Sequence, residues 1–137
     1  MTDPRRAMAA AVQAQLEAGG SLADAAFDTV LPDGVTPPER YAVFFLQGLY
    51  EYDRQGGASP IAVDWTLTTH SVGTSVDQAR WVAAEVAARL AGIRLALTGW
   101  TQTPARHSFA QPVDINRDVI PGVPFGIDQY TFRSDKE

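Results

Sequence analysis

The run Tyr41-Ala42-Val43-Phe44-Phe45-Leu46 constrains this chain more than any other stretch. Read as a strand, it places Tyr41, Val43 and Phe45 on one side and Ala42, Phe44 and Leu46 on the other, because successive side chains alternate. Both sides are apolar. A strand of this kind is covered twice: it lies centrally in a sheet, or something is laid over its second face. It continues through Leu49 and Tyr50 to the turn-rich stretch Arg54-Gln55-Gly56-Gly57-Ala58-Ser59-Pro60. A second strand follows. Ile61, Val63, Trp65 and Leu67 face one way, and Ala62, Asp64, Thr66 and Thr68 face the other. Two strands joined by a glycine-rich turn predict an antiparallel hairpin over about 41–69. His70 to Thr74 reads as a connector.

Two helices stand out. Asp3-Pro4 supplies a cap followed by proline at the first helical position. Met8, Val12 and Leu16 then recur on one face, and Gly19-Gly20 closes a helix over about 4–18. Ser75-x-x-Gln78 has the spacing of a capping box. It opens a helix over about 75–91, with Val76, Ala79, Val82, Ala83, Val86, Ala87 and Leu90 as its apolar stripe. Glu85 and Arg89 form an i,i+4 pair, and Gly92 sits where a terminating glycine belongs.

Strand signals at Phe27–Leu31, Ile93–Leu97 and Ile127–Phe132 complete the pattern. The stretch from Gly99 to Phe125 holds Pro104, Pro112, Pro121 and Pro124 and is weakly patterned. Short strands fit near His107–Phe109 and Val113–Ile115. The C-terminal strands thus span about 93–133. The fold class is α+β: one domain over 1–137, a single mixed or antiparallel sheet of about four to six strands, and two main helices packed on it. No internal repeat is present.

Chemistry is sparse. The 137 residues include no cysteine, which excludes disulfides, thiolate zinc sites and cysteine nucleophiles. No apolar run reaches the roughly 18 residues of a membrane span, and no apolar stretch follows the N-terminus as in a signal peptide. His70 and His107 fall in no metal-binding spacing, and no nucleophile elbow or phosphate loop occurs. Asp114, Asn116 and Asp118 share the first spacings of a calcium loop. Val119 replaces its glycine, however, and Phe125 replaces its final glutamate. No catalytic residue, cofactor or metal is therefore expected. An enzyme would have to work from Asp28, Asp64, His70 or His107 brought together in space.

Contact chemistry is better represented. Tyr50, Tyr52 and Arg54 sit at the predicted hairpin tip, Trp100 ends a predicted strand, and Asp114, Asn116, Arg117 and Asp118 cluster in the proline-rich stretch. These are the candidate interface residues; aromatic rings and guanidinium groups anchor protein contacts. Trp65 reads as core and Trp81 as the edge of a helix stripe. Of the 11 basic residues only Lys136 is lysine. Arginine suits interfaces, although GC-rich coding produces the same bias. Sixteen acids give a net charge of -5, which disfavours phosphate binding.

The order of elements resembles the tail terminator, or tail completion, proteins of long-tailed bacteriophages. The matching stretches are ERYAVFFLQG at 39–48, IAVDWTLTTHSVGTSVDQARWVAAEVAARLAG at 61–92 and VPFGIDQYTFRS at 123–134. The resemblance runs from about Arg5 to Arg133 and lies in elements and lengths. It implies an α+β subunit that assembles into a hexameric ring on the last ring of the tail tube. Such a ring stops tube polymerisation and offers a surface to the head connector protein. It implies head-to-tail interfaces closed by rotation, a tail tube partner, a lumen that DNA passes without specific binding, and no membrane. The place implied is the head-proximal end of the virion tail, with synthesis in the host cytoplasm. Arg54, Trp100 and residues 114–118 would then lie in subunit or tube contacts. Two other readings remain open on the residues: a head-side connector or stopper protein, and a small ligand-binding regulatory module.

Overall fold

The computed structural model describes residues 4–30, 38–53, 60–117 and 122–137. Elements run in the order α1 (Pro4–Glu17), β1 (Ala26–Asp28), β2 (Tyr41–Tyr52), β3 (Pro60–Val72), α2 (Val76–Leu90), β4 (Trp100–Gln102), β5 (Arg106–Ala110), β6 (Asp114–Asn116) and β7 (Val123–Lys136). Two helices pack on a mixed sheet that curls as a half-barrel, an α+β fold. The strand order is β1-β2-β3-β7-β4, and β5 and β6 also pair with β7.

The hairpin forms as its pattern predicts, with β2 antiparallel to β3 from Tyr41↔Val72 to Tyr52↔Pro60. One residue departs. Ile61 is exposed and Ala62 is buried, because the register slips between Glu51 and Tyr52 and leaves Ile61 as the extra residue of a bulge. The strand also runs longer than its pattern suggested, so His70 belongs to β3 and not to a connector.

The helices close the core. Met8, Val12 and Leu16 of α1 and Val82, Val86 and Leu90 of α2 are fully buried against Phe44, Val63, Trp65, Leu67 and Tyr130. Each such aliphatic side chain contributes about 1.5–3 kcal/mol on burial. The Ser75 hydroxyl accepts from the Gln78 N–H at 3.2 Å. The Gln78 side chain accepts in turn from the Thr74 N–H at 3.0 Å, one residue before the usual capping-box partner. Gly92 takes φ +74 just after the helix, as a terminating glycine does.

The predicted strand Ile93–Leu97 does not form. Only Leu97 makes a bridge, to Trp100. Within this segment Leu95 is buried. Its backbone groups bond elsewhere: Ala105 N–H donates to Ile93 at 2.7 Å, and the Gln102 amide donates to Leu95 at 2.8 Å. The reason lies on β7, whose outer edge is filled by residues 100–116. That stretch is a single strand path broken into β4, β5 and β6, each antiparallel to β7. β3 and β4 both oppose β7, so they run parallel to one another, as a strand–helix–strand crossover requires.

Candidate functional site

One face of the sheet lies under the helices. Among the described residues no helix lies on the other, and its side chains fall into rows fixed by the register of β2, β3 and β7. In order they are Tyr41–Val72–Phe125, Val43–His70–Ile127, Phe45–Thr68–Gln129, Gln47–Thr66–Thr131 and Leu49–Asp64–Arg133. The first two rows are apolar and aromatic, the next two are mostly polar, and the last is charged. This is the second face that the run from Tyr41 to Leu46 demanded, and it is covered only in part.

The apolar end is a depression of about 780 Å³ walled by Tyr41, Phe45, His70 and Phe125. The rings touch along a diagonal. His70 lies 5.0 Å from Phe45 and 6.2 Å from Phe125, centroid to centroid. Burial lowers the His70 pKa and raises that of the Tyr41 hydroxyl. Both shifts favour the neutral forms of these rings. Asp114, which begins β6, and Arg117, which follows it, also line the depression.

The charged end centres on Arg133. Its guanidinium donates to both Asp64 oxygens at 3.2 Å, to Glu51 at 3.1 Å and to Asp135 at 3.1 Å. These hydrogen bonds, led by the one to Glu51, raise the Arg133 pKa further. Three carboxylates around one cation leave this end acidic.

A third polar group lies on the helix side, at the rim under β5. His107 Nε2 is 2.9 Å from Asp128 Oδ1, and the imidazole stacks on the Tyr130 ring at 4.8 Å. The Tyr130 hydroxyl is buried, and its pKa is pushed up by burial and by the Asp128 charge. It has no hydrogen-bond partner among the described residues; nor do the buried hydroxyls of Thr69 and Ser71. Asp28, Asp64, His70 and His107 are not brought to one cleft: His107 pairs with Asp128, Asp64 pairs with Arg133, and His70 stacks with aromatic rings.

The sequence-predicted contact residues divide between the ends. Asp114, Asn116 and Arg117 line the depression. Tyr50 and Tyr52 stack at 6.3 Å near the other end of β2, with Tyr50 turned to the helix side against Trp65 and the Arg5 guanidinium 5.2 Å from its ring. Trp100 begins β4 and does not end a strand. It is 7% exposed and packs in the core. Arg54 and Asp118 lie outside the described residues. Sequence reasoning missed Phe45, His70, Phe125 and Arg133 as members of one surface. The one available signal was the two-faced apolar strand.

Among the described residues no helix is long and apolar enough to cross a membrane. In comparisons with known proteins, no family model and no curated sequence matches this chain. Among solved structures, the chain is similar to a component of the virion of a native gene transfer agent particle. The two are 18% identical and superpose with a TM-score of 0.67 over 92% of each chain. The shared feature is the fold.

Proposed function

We propose that the protein is a structural component of a phage-like virion, and specifically a tail terminator. In this reading it forms a hexameric ring at the head-proximal end of the tail, made in the host cytoplasm and carried in the particle. The ring stops growth of the tail tube and joins it to the head connector. The observation that carries the reading is the likeness in fold to a virion chain over 92% of both chains. The resemblance in order and length of elements adds the terminator role.

The open face supports such a role physically. It is apolar at one end and acidic at the other, so it does not match itself about a two-fold axis. A surface of that kind favours head-to-tail contacts, which close into rings. The net charge of -5 gives the assembled ring an overall repulsion toward passing DNA. No side chain is assigned a catalytic role and no cofactor is invoked.

Light scattering and negative-stain electron microscopy test the proposal on the purified protein, alone and mixed with tail tube protein. Six-membered rings that cap tubes are expected. A protein that stays monomeric at every concentration and ignores the tube would end this reading. Capture by the head connector without the tube would favour the stopper role instead. The depression of about 780 Å³ favours one second reading, a ligand-binding module. That reading predicts a thermal shift with a small aromatic ligand.

A further inference from the structure

The chain leaves β1 through a backbone conformation that its residue disfavours. Thr29 follows the last residue of β1 and takes φ +68. That is the left-handed region, where a β-branched residue is an outlier. Val30 N–H donates back to the Asp28 carbonyl at 2.7 Å. A bond that closes three residues about a positive φ is the strained form of the γ-turn. Such strain persists only where neighbouring contacts hold it. Here the Thr29 N–H donates to the Phe44 carbonyl at 2.8 Å, and the Thr29 hydroxyl donates to Asp28 Oδ1 at 2.9 Å. Among the described residues the other non-glycine at positive φ is Asp24, a residue type that enters this region more readily.

The turn also stops a ladder one bond short. β1 runs parallel to β2 from Ala26↔Ala42 to Asp28↔Phe44. Its bonds include Ala42 N–H to the Ala25 carbonyl and Thr29 N–H to the Phe44 carbonyl, each at 2.8 Å. In a parallel ladder the next bond runs from the Leu46 N–H to the Thr29 carbonyl. β1 ends before it, and among the described residues no strand lies against Leu46 on this edge. The same register, continued, sets Val30 beside Leu46, and alternation puts it on the helix side with Ala26. A groove of about 440 Å³ runs there, with Ala9, Leu46, Gly48 and Tyr50 among its walls. In the turned form Val30 is instead 67% exposed and lines the depression of about 780 Å³.

We propose that Thr29 is the hinge of a strand-extension switch. The turned form exchanges with an extended one in which Thr29 takes a strand conformation and its carbonyl accepts from the Leu46 N–H. Val30 then moves from the depression to the groove. Straightening relieves the left-handed strain, adds a backbone bond and covers an exposed apolar side chain. It gives up the Val30–Asp28 bond, the Thr29–Asp28 bond and the seat of Val30 in the depression wall. Two forms that trade one set of contacts for another make a bistable element. The depression is thereby coupled to the β2 edge. An occupant that touches Val30 holds the turn, and extension of β1 reshapes the depression. The device goes beyond the ring reading and needs no particular assembly.

The chain has no cysteine, so a cysteine trap reads the extended form directly. Val30→Cys and Leu46→Cys are introduced together in the full chain, and their bridging under glutathione disulfide is timed. Laterally paired strand residues lie within the Cα range of a disulfide. A bridge within one molecule is expected. Adding Thr29→Gly takes the strain out of the turn and should slow bridging about tenfold. Adding Thr29→Val keeps the branch, drops the hydroxyl and should not slow it. A second measurement keeps Leu46 and Val30 intact: the Leu46 amide should exchange hydrogen more slowly in Thr29→Val than in Thr29→Gly. Bridging indifferent to Thr29→Gly, or equal exchange at Leu46 in the two single variants, would overturn the proposal. So would a folded double-cysteine protein that forms no bridge, or one that bridges only between molecules.

Discussion

Phe44 and Phe45 are neighbours in one strand and live in different surroundings. Phe44 points under the helices and is fully buried, while Phe45 points to the open face and is 36% exposed beside His70. On the helix side of β2, Ala42 and Phe44 are fully buried. The open side is apolar for two rows and then turns polar and charged. One strand thus carries two kinds of apolar surface, one fully buried under the helices and one that keeps partial exposure at Phe45. Substitution separates them. Phe44→Ala is expected to cost about 3–5 kcal/mol by urea denaturation, the transfer loss plus the cavity left behind. Phe45→Ala is expected to cost about 1 kcal/mol or less. Equal losses would mean that the depression is core, and the contrast would fall.

The next effect lies wholly on the helix side. The Trp65 indole N–H donates to the Ser134 hydroxyl at 2.9 Å, with both residues buried. Ser134→Ala strands that donor and is expected to cost about 1–3 kcal/mol. A loss near zero would mean that water reaches the indole, and the helix side would be less closed than its packing implies.

A smaller effect reads the open side by pH. Burial lowers the His70 pKa from its usual 6.5, so the unfolded chain binds the proton more readily than the folded one. Stability from this group is complete above the unfolded pKa and is lost as pH falls through it. Urea midpoints should therefore decline on acidification, and His70→Gln should flatten the part of the decline that sets in near that pKa. An unchanged slope in the variant would assign the acid sensitivity to other groups.

Most of the helix side was legible in the sequence, and little of the open side was. Periods of two and of 3.6 are local, so Val63, Trp65 and Leu67 and the stripe from Ala79 to Leu90 announced their burial directly. The brief alternation near His107 and Val113 found β5 and β6 for the same reason. Ile61 failed because it is the extra residue of a bulge, and that bulge is decided by the pairing with Glu51 and Tyr52. Ile93–Leu97 failed because β7 was already filled, a competition that no window of five residues records. The row Val43–His70–Ile127 joins residues far apart in the chain through two registers. Its members look unrelated until the strands are aligned, which is why the depression and the Arg133 cluster were invisible beforehand.

The smallest expected effect concerns that cluster. Arg133 holds Glu51, Asp64 and Asp135 together, but all four side chains stand in water. Exposed ion pairs contribute little, because water solvates the charges nearly as well apart. Arg133→Gln removes the one cation and leaves three carboxylates to repel one another. The thermal midpoint should fall slightly at low salt. The fall should vanish near 1 M salt, where the screening length shrinks to about 3 Å. A loss as large as that of Ser134→Ala and indifferent to salt would break the comparison, because the charged rows would then be structural. A small, salt-sensitive loss leaves the fold resting on the helix side. The acidic end then remains a surface whose charge is available to whatever meets the open face.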